Sequence, residues 1–361
     1  MGVSFFKREH NFKNFLFLFG ISNLFLYMPS VIISAYQNIY DVIKLMYCVA
    51  TFGFGCQATM KIYTYIVTRK RVIYLYEKNM KYYKDMLDQS EKVRHVLCEN
   101  ANLTYVVIKF AIILYIFLVF ITLSMPLLLS LYFSERILPF GFTIPFTSDE
   151  TTAGYIGNYL CQLVMSIYYG LITVASDITT IFNLLTANGQ LNVLVTIVEE
   201  LDELLDRDES PQVIKNKIKD IIRQHQSHRI YFDELINFLN PYHFVTLGST
   251  VPTMIVSVVG LVLLNWYPGA IIMFFASIQI FFICFLGTSL ELKTDALTET
   301  VSAIHWDKLS VQDMKSMNLV QVLTQHPKIL VLATLPLNIA AYLQIHKFIY
   351  SMIMMMENTK E

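Results

Sequence analysis

Seven long apolar runs, with most of the Lys and Arg lying in the segments between them, constrain this chain more than any other feature. The runs are Phe15–Tyr36, Val42–Val67, Leu103–Phe133, Tyr155–Leu185, Tyr242–Asn265, Gly269–Leu292 and Lys328–Met356. A hydrocarbon core roughly 30 Å thick takes about 20 mostly apolar residues as helix, and every run reaches that length. Inside a bilayer each backbone polar group must find a partner within its own segment, which leaves the helix. The expected class is all-α, with seven transmembrane helices. Composition agrees: 55% of the residues are hydrophobic and 15% charged, against about 25% charged in a soluble domain.

The basic residues set the orientation. Lys7, Arg8 and Lys13 precede the first run. Arg69, Lys70, Arg71, Lys78, Lys81, Lys84, Lys92 and Arg94 lie between the second and third. Arg207, Lys215, Lys217, Lys219, Arg223 and Arg229 lie between the fourth and fifth, and Lys293, Lys308 and Lys315 between the sixth and seventh. The alternate connections hold only Arg136, the uncharged turn Asn265–Pro268, and Lys360 in the tail. Positively charged short loops stay in the cytoplasm, so the N-terminus is expected inside and the C-terminus outside. This reverses the arrangement of G-protein-coupled receptors. The first run lacks a small-residue cleavage site and is long enough to span, so it reads as a helix rather than a leader.

The expected organisation is one membrane domain over 1–361: spans one to four in 15–185, a cytoplasmic helical extension in 186–241, spans five and six in 242–292, a cytoplasmic segment in 293–327 and span seven in 328–356. In the extension, Leu191, Leu194, Val195, Val198, Leu201, Leu204 and Leu205 recur at helical spacing against Glu199, Glu200, Asp202 and Glu203. After Ser210-Pro211, Val213, Ile214, Ile218, Ile221 and Ile222 begin a second helix leading to span five. Apolar stripes outside a bilayer need cover, from this chain or from neighbouring subunits.

Enzyme signatures are missing: no His-Glu-x-x-His, no phosphate-cradling Gly-rich loop, no Cys-x-x-Cys. Cys48, Cys56, Cys161 and Cys284 fall in spans and Cys98 in a basic segment, as expected of unpaired apolar residues. His225 and His228 share a helical face without a Glu or Cys companion at ligand spacing, which favours a solvated or interface pair over a metal site. The acidic run Glu199–Glu209 reads as a solvated helix face, and Asn240-Pro-Tyr-His243 as a helix-start turn. Asp177 stands out as an acidic group near the inner end of span four. No cofactor, metal or nucleic-acid partner is expected.

Span seven is the least apolar, with Pro336, Asn338, Gln344, His346, Lys347 and Ser351. Polar groups within a span face protein or water rather than lipid, so a water-lined pore stands beside a span packed wholly in protein and a snorkelling Lys347, which lies about ten residues or more from either end, far for snorkelling. Met352, Met355 and Met356 share a face at its end, where an apolar ring closes a pore by dewetting, and Glu357 beyond them adds negative charge. The outer halves of spans two to six combine aromatics with a few polar groups: Tyr47 and Phe54; Phe117, Phe120 and Ser124; Tyr155, Tyr159, Gln162 and Ser166; Thr250, Thr253 and Met254; Phe274 and Phe275. An apolar pocket with a few polar groups suits a small lipophilic ligand. Interhelical packing accounts for any one of them alone, and only convergence makes a site.

From span five onward the chain resembles the insect odorant receptors. The matching stretches are Arg223-Gln-His-Gln-Ser-His-Arg-Ile-Tyr-Phe-Asp-Glu-Leu235 and Phe282-Ile-Cys-Phe-Leu-Gly-Thr-Ser-Leu290, followed by Ala296, Trp306, Leu335-Pro-Leu-Asn338 and Tyr350-Ser351. They cover about the last third of the chain. The resemblance implies a ligand-gated cation channel: four subunits around one pore lined by span seven, tied together by intracellular anchor helices. It implies a small volatile organic odorant bound in the outer half of spans two to six. The candidate contacts are then Tyr47, Phe54, Phe117, Phe120, Ser124, Tyr159, Gln162, Ser166, Thr253 and Met254. It places the gate at Met352 and Met356 and the filter position at Met355, with the exact pore-lining face left open. Asn188–Leu239 lacks the long insertion of the family's co-receptor. The chain therefore looks like a tuning subunit that joins olfactory co-receptor subunits in a heterotetramer, in the plasma membrane of the olfactory sensory dendrite. Ile349-Tyr350 without a following Gln-Phe argues against the related gustatory receptors. An atypical G-protein-coupled receptor and a multipass enzyme or transporter are the remaining alternatives.

Overall fold

The computed structural model describes residues 15–134, 136–332 and 335–358, without the side chains of 15–17, 133, 357 and 358. Lys7, Arg8, Lys13 and Lys360, used above to orient the chain, and the Glu357 side chain lie outside the described residues. The helices are α1 (Phe15–Gln37), α2 (Val42–Val67), α3 (Arg69–Leu87), α4 (Glu91–Phe133), α5 (Thr152–Asp206), α6 (Pro211–Leu264), α7 (Pro268–Ala303), α8 (Val311–Gln325) and α9 (Ile339–Asn358). All but α3 and α8 are long and apolar enough to cross a membrane.

Side-chain caps start several of these helices. Asp41 accepts from Lys44 N at 3.1 Å, Ser90 from Val93 N at 3.1 Å and Thr151 from Gly154 N at 3.1 Å, each satisfying an N–H that the first turn leaves open. Asn265 (φ 54°) ends α6, and Pro268 at once opens α7.

The helices α4 to α7 overrun the apolar runs that predict them. At 1.5 Å per residue the 55-residue α5 is about 80 Å long, well over twice a hydrocarbon core. The overruns collect at one end of the bundle with α3 and α8. There Leu191, Leu194, Ile197, Val198 and Leu201 of α5, each at most 2% exposed, pack with Ile218 and Ile221 of α6, Leu75 and Met86 of α3, and Val93 and Leu97 of α4. The amphipathic stripes are thus mostly covered within the chain, with Val213 left 41% exposed.

Two expectations need correction at this end. The acidic run is not simply solvated. Glu203 pairs with Lys92, Glu200 with Lys217, Asp206 with Lys308 at 3.1 Å, and Asp202 with His305 Nδ1 at 2.9 Å. His225 and His228 are both buried, and His228 Nδ1 lies 3.1 Å from Gln190 Oε1.

Two more concern the spans. Tyr242 does not follow a helix-start turn, because α6 runs unbroken through Pro241; neighbouring helices supply the partners that a proline removes. Span seven begins eleven residues later than Lys328. Val331–Leu332 (β1) and Leu335–Pro336 (β2) form a two-stranded antiparallel hairpin, and Leu337 N donates to Leu330 O at 2.9 Å. Pro336 holds the residue before it extended, and Asn338 then caps α9 by accepting from Ala341 N at 3.0 Å. The hairpin lies tight on α7: a Cβ at Gly287 would sit 1.8 Å from Leu337 O.

Candidate functional site

Between α1, α2, α4, α5 and α7 lies a mostly apolar cavity of about 100 Å³. Helical phase builds its walls: Phe54, Gln57 and Ala58 from α2; Tyr115, Val119 and Thr122 from α4; Ser166, Tyr169, Gly170 and Thr173 from α5. Tyr27, Ile272, Phe275 and Phe140 complete it. Phe54 meets Phe275 edge-on at 5.8 Å, and Phe275 meets Tyr115 at 6.1 Å.

The loop between α4 and α5 closes one side. Gln162 holds it, accepting from Phe140 N at 3.1 Å and donating to Phe142 O at 2.5 Å. Asn158 accepts from Ile144 N at 2.8 Å, and Ser34 Oγ from Thr143 N at 3.0 Å. Beyond the loop is a wider vestibule of about 740 Å³, bordered by Lys44, Tyr47, Arg136 and Trp266. Adjacent loop residues face the two spaces, Phe140 the cavity and Gly141 the vestibule. Gly141 (φ +65°) lies against Tyr47, where a Cβ would stand 2.4 Å from the Tyr47 Cβ.

Of the ten candidate contacts, the structure brings Phe54 and Ser166 to the cavity wall. Phe117 and Phe120 are 55% and 66% exposed on the outer face of α4, the side away from Tyr115 and Leu118. Gln162 clamps the loop rather than lining the cavity, and Tyr47 packs edge-on against Trp266 at 4.5 Å. Ser124 bonds Ile121 O at 3.4 Å, and Tyr159 donates to Leu123 O at 2.6 Å. Thr253 and Met254 are buried, Thr253 beside Gly53 of α2.

Beneath the cavity lies a polar centre that the apolar runs conceal. Lys61 Nζ stands 2.9 Å from Asp177 Oδ1, with side-chain exposures of 0% and 9%. Tyr115 donates to Asp177 Oδ2 at 2.8 Å, Gln279 donates to the same oxygen at 3.2 Å, and Tyr242 donates to Oδ1. One carboxylate of α5 thus joins α2, α4, α6 and α7, and the Tyr115 ring is also cavity wall.

The helix α9 leans on α7 through one face only. Ser277 Oγ lies 2.9 Å from Tyr342 Oη and 3.0 Å from His346 Nε2, and Ile349 is buried. Asn338 donates to Glu291, so His346 and Asn338 face the chain itself. Gln344, Lys347, Ser351 and Met355 form an exposed stripe on the other side, with Met355 65% exposed. Met352 is half-buried at the edge of that stripe, and Met356 is 38% exposed.

The fold is similar to that of the olfactory receptor OR5 from Machilis hrabei in complex with eugenol. The TM-score is 0.75 at 12% identity, covering 98% of this chain and 92% of that one. A second structure of that receptor gives a TM-score of 0.74 at 12% identity, covering 97% of this chain and 91% of that one. In sequence, the putative odorant receptor 83c of Drosophila melanogaster is 24% identical over 262 residues, spanning 68% of this chain and 65% of that relative's length. The sequence profile of the 7tm odorant receptors matches residues 39–350. With seven helices long and apolar enough to cross a membrane, the chain is a multi-pass membrane protein, and it belongs to the 7tm odorant receptor family.

Proposed function

We propose that this receptor is the ligand-tuned subunit of an odorant-gated, non-selective cation channel. It sits in the plasma membrane of a sensory dendrite with its N-terminus inside and its C-terminus outside. A small volatile molecule occupies the cavity, and α9 lines the pore within a heterotetramer completed by co-receptor subunits. The observation that carries the reading is the uncovered polar stripe of α9. A Lys at the centre of a span costs about 2.5–3.5 kcal/mol against lipid. Gln344, Lys347 and Ser351 are thus poorly suited to face lipid, and a ring of subunits gives them a water-filled axis.

The last turn of α9 closes that axis. Met355 points along the exposed stripe, with Met352 and Met356 flanking it, and an apolar ring of such side chains gates by dewetting. The link from cavity to gate is short: α7 carries Phe275 in the cavity wall and Ser277, two residues on, against Tyr342 and His346 of α9. Displacement of α7 by an occupant therefore acts on α9 directly. The end of the bundle that holds α3 and α8 is the intracellular anchor.

Co-expression with the co-receptor tests this reading. A volatile ligand is expected to evoke a cation current within milliseconds, with no G protein or nucleotide; loss of the current under G-protein blockade overturns it. Thiol reagents are expected to block the current of Ser351→Cys and Met355→Cys and to spare Ile349→Cys. Equal reactivity at all three positions removes the stripe from the pore.

A further inference from the structure

The cavity wall holds an unpaired amide acceptor among hydroxyls whose protons are mostly committed, and this defines a ligand class. Gln57 is 3% exposed and lines the cavity. Its Nε2 donates to Thr250 Oγ1 at 2.7 Å, and the Thr250 hydroxyl donates its single proton to Thr246 O at 2.6 Å. Thr250 can therefore only accept from Gln57. This fixes the amide orientation through the bonding pattern itself. The amide oxygen, Oε1, has no partner among the described residues.

Four of the wall hydroxyl protons are already committed. Tyr115 donates to Asp177 at 2.8 Å, Tyr27 to Thr51 O at 2.7 Å, Thr122 to Leu118 O at 2.9 Å and Ser166 to Gln162 O at 2.7 Å. Towards the cavity these groups present lone pairs. The Tyr169 hydroxyl is buried and has no partner among the described residues. The Thr173 hydroxyl, two turns along α5 from Ser166, has no partner among the described residues and is the wall donor left free.

We infer that the cavity selects a compact apolar molecule carrying a hydroxyl group that donates to Gln57 Oε1, and that Gln57 is the residue that separates alcohols from their carbonyl and hydrocarbon counterparts. The inference rests on the reading of this cavity as the ligand site. Size narrows the class further: a 150 Å³ cavity in another protein holds benzene, and this one measures about 100 Å³. The occupant is then about one small ring or a short branched chain. A ketone of the same shape can accept from Thr173 but cannot donate, so it leaves Gln57 Oε1 unpaired. A hydrocarbon loses no hydration but leaves Gln57 Oε1 unpaired.

The test is ligand titration of the full chain in lipid nanodiscs, read as the shift of the thermal unfolding midpoint, with cyclopentanol, cyclopentanone and cyclopentane as probes. Cyclopentanol is expected to bind at least about tenfold more tightly than the other two, as for a hydrogen bond to a buried group. Gln57→Met should bring cyclopentanol and cyclopentanone within about threefold of one another, and Thr173→Val, which removes the free wall donor, should not narrow the preference for cyclopentanol over cyclopentanone. Thr250→Val, which frees the amide N–H₂, should raise cyclopentanone towards cyclopentanol. Equal binding of the three probes to the unaltered chain overturns the inference alone. So does a preference that survives Gln57→Met or collapses with Thr173→Val. No shift with any probe overturns the cavity reading together with it.

Discussion

The Lys61–Asp177 pair shows what a single position can hide. In sequence, Lys61 interrupts an apolar run and Asp177 reads as one carboxylate near a span end, 116 residues apart. Nothing in either pattern announces the partner. Packed together, they form a buried ion pair whose remaining bonding capacity is met by Tyr115, Tyr242 and Gln279. Removing one member leaves an uncompensated buried charge, which costs about 3–5 kcal/mol, whereas replacing both with apolar groups is far milder. Lys61→Met and Asp177→Leu should therefore each lower the thermal unfolding midpoint of the purified protein sharply, and the double variant should recover much of the loss. Additive losses in the double variant would show that the two groups do not act as a pair. Phe117 and Phe120 carry a related lesson. Aromatic content marks them as pocket candidates, but helical phase turns them outward while Tyr115, Val119 and Thr122 face in.

At the scale of elements, hydropathy places the spans and misses what continues them. The α4–α7 overruns lie beyond any bilayer-length window, and their apolar stripes are legible only as amphipathic helices in need of cover. The start of α9 is set by Pro336 and the Asn338 cap, which outweigh the apolar character of Lys328–Leu337. The acidic end of α5 meets the short 3₁₀ turn Trp306–Lys308 through His305, whose backbone N and Nδ1 contact Asp202 at 2.8 and 2.9 Å. The Asp202 hydrogen bond, together with the nearby carboxylates, raises the imidazole above its ordinary value. A raised folded-state value means the contact stabilises fully below the ordinary His pKa of about 6.5 and loses that contribution as pH rises through the raised value. Amide exchange in residues 304–309 should therefore quicken, relative to neighbouring segments, as pH is raised through that window. His305→Gln should abolish the pH-dependent part, and an unchanged profile in that variant would exclude the imidazole as its source.

At the scale of the molecule, the proposed orientation makes a direct prediction. An epitope inserted at 145–150, in the loop between α4 and α5, should be labelled on intact cells. One inserted at 207–210, between α5 and α6, should need permeabilisation. The reverse pattern would invert the proposed topology and move the α9 methionines to the other mouth. The sequence by itself determined the class of structure: seven apolar runs of bilayer length admit only helices, because lipid offers the backbone no partner. It also located the basic segments and the unusual polarity of span seven, since both are properties of one stretch of chain. The tertiary structure decided everything that depends on convergence. Gln57 reaches Thr250 of α6, Lys61 meets Asp177, and Gln162 holds the loop between α4 and α5. These pairings join residues far apart in sequence, or depend on a loop's path. Their physical cause is the relative rotation and register of packed helices, which no local pattern encodes.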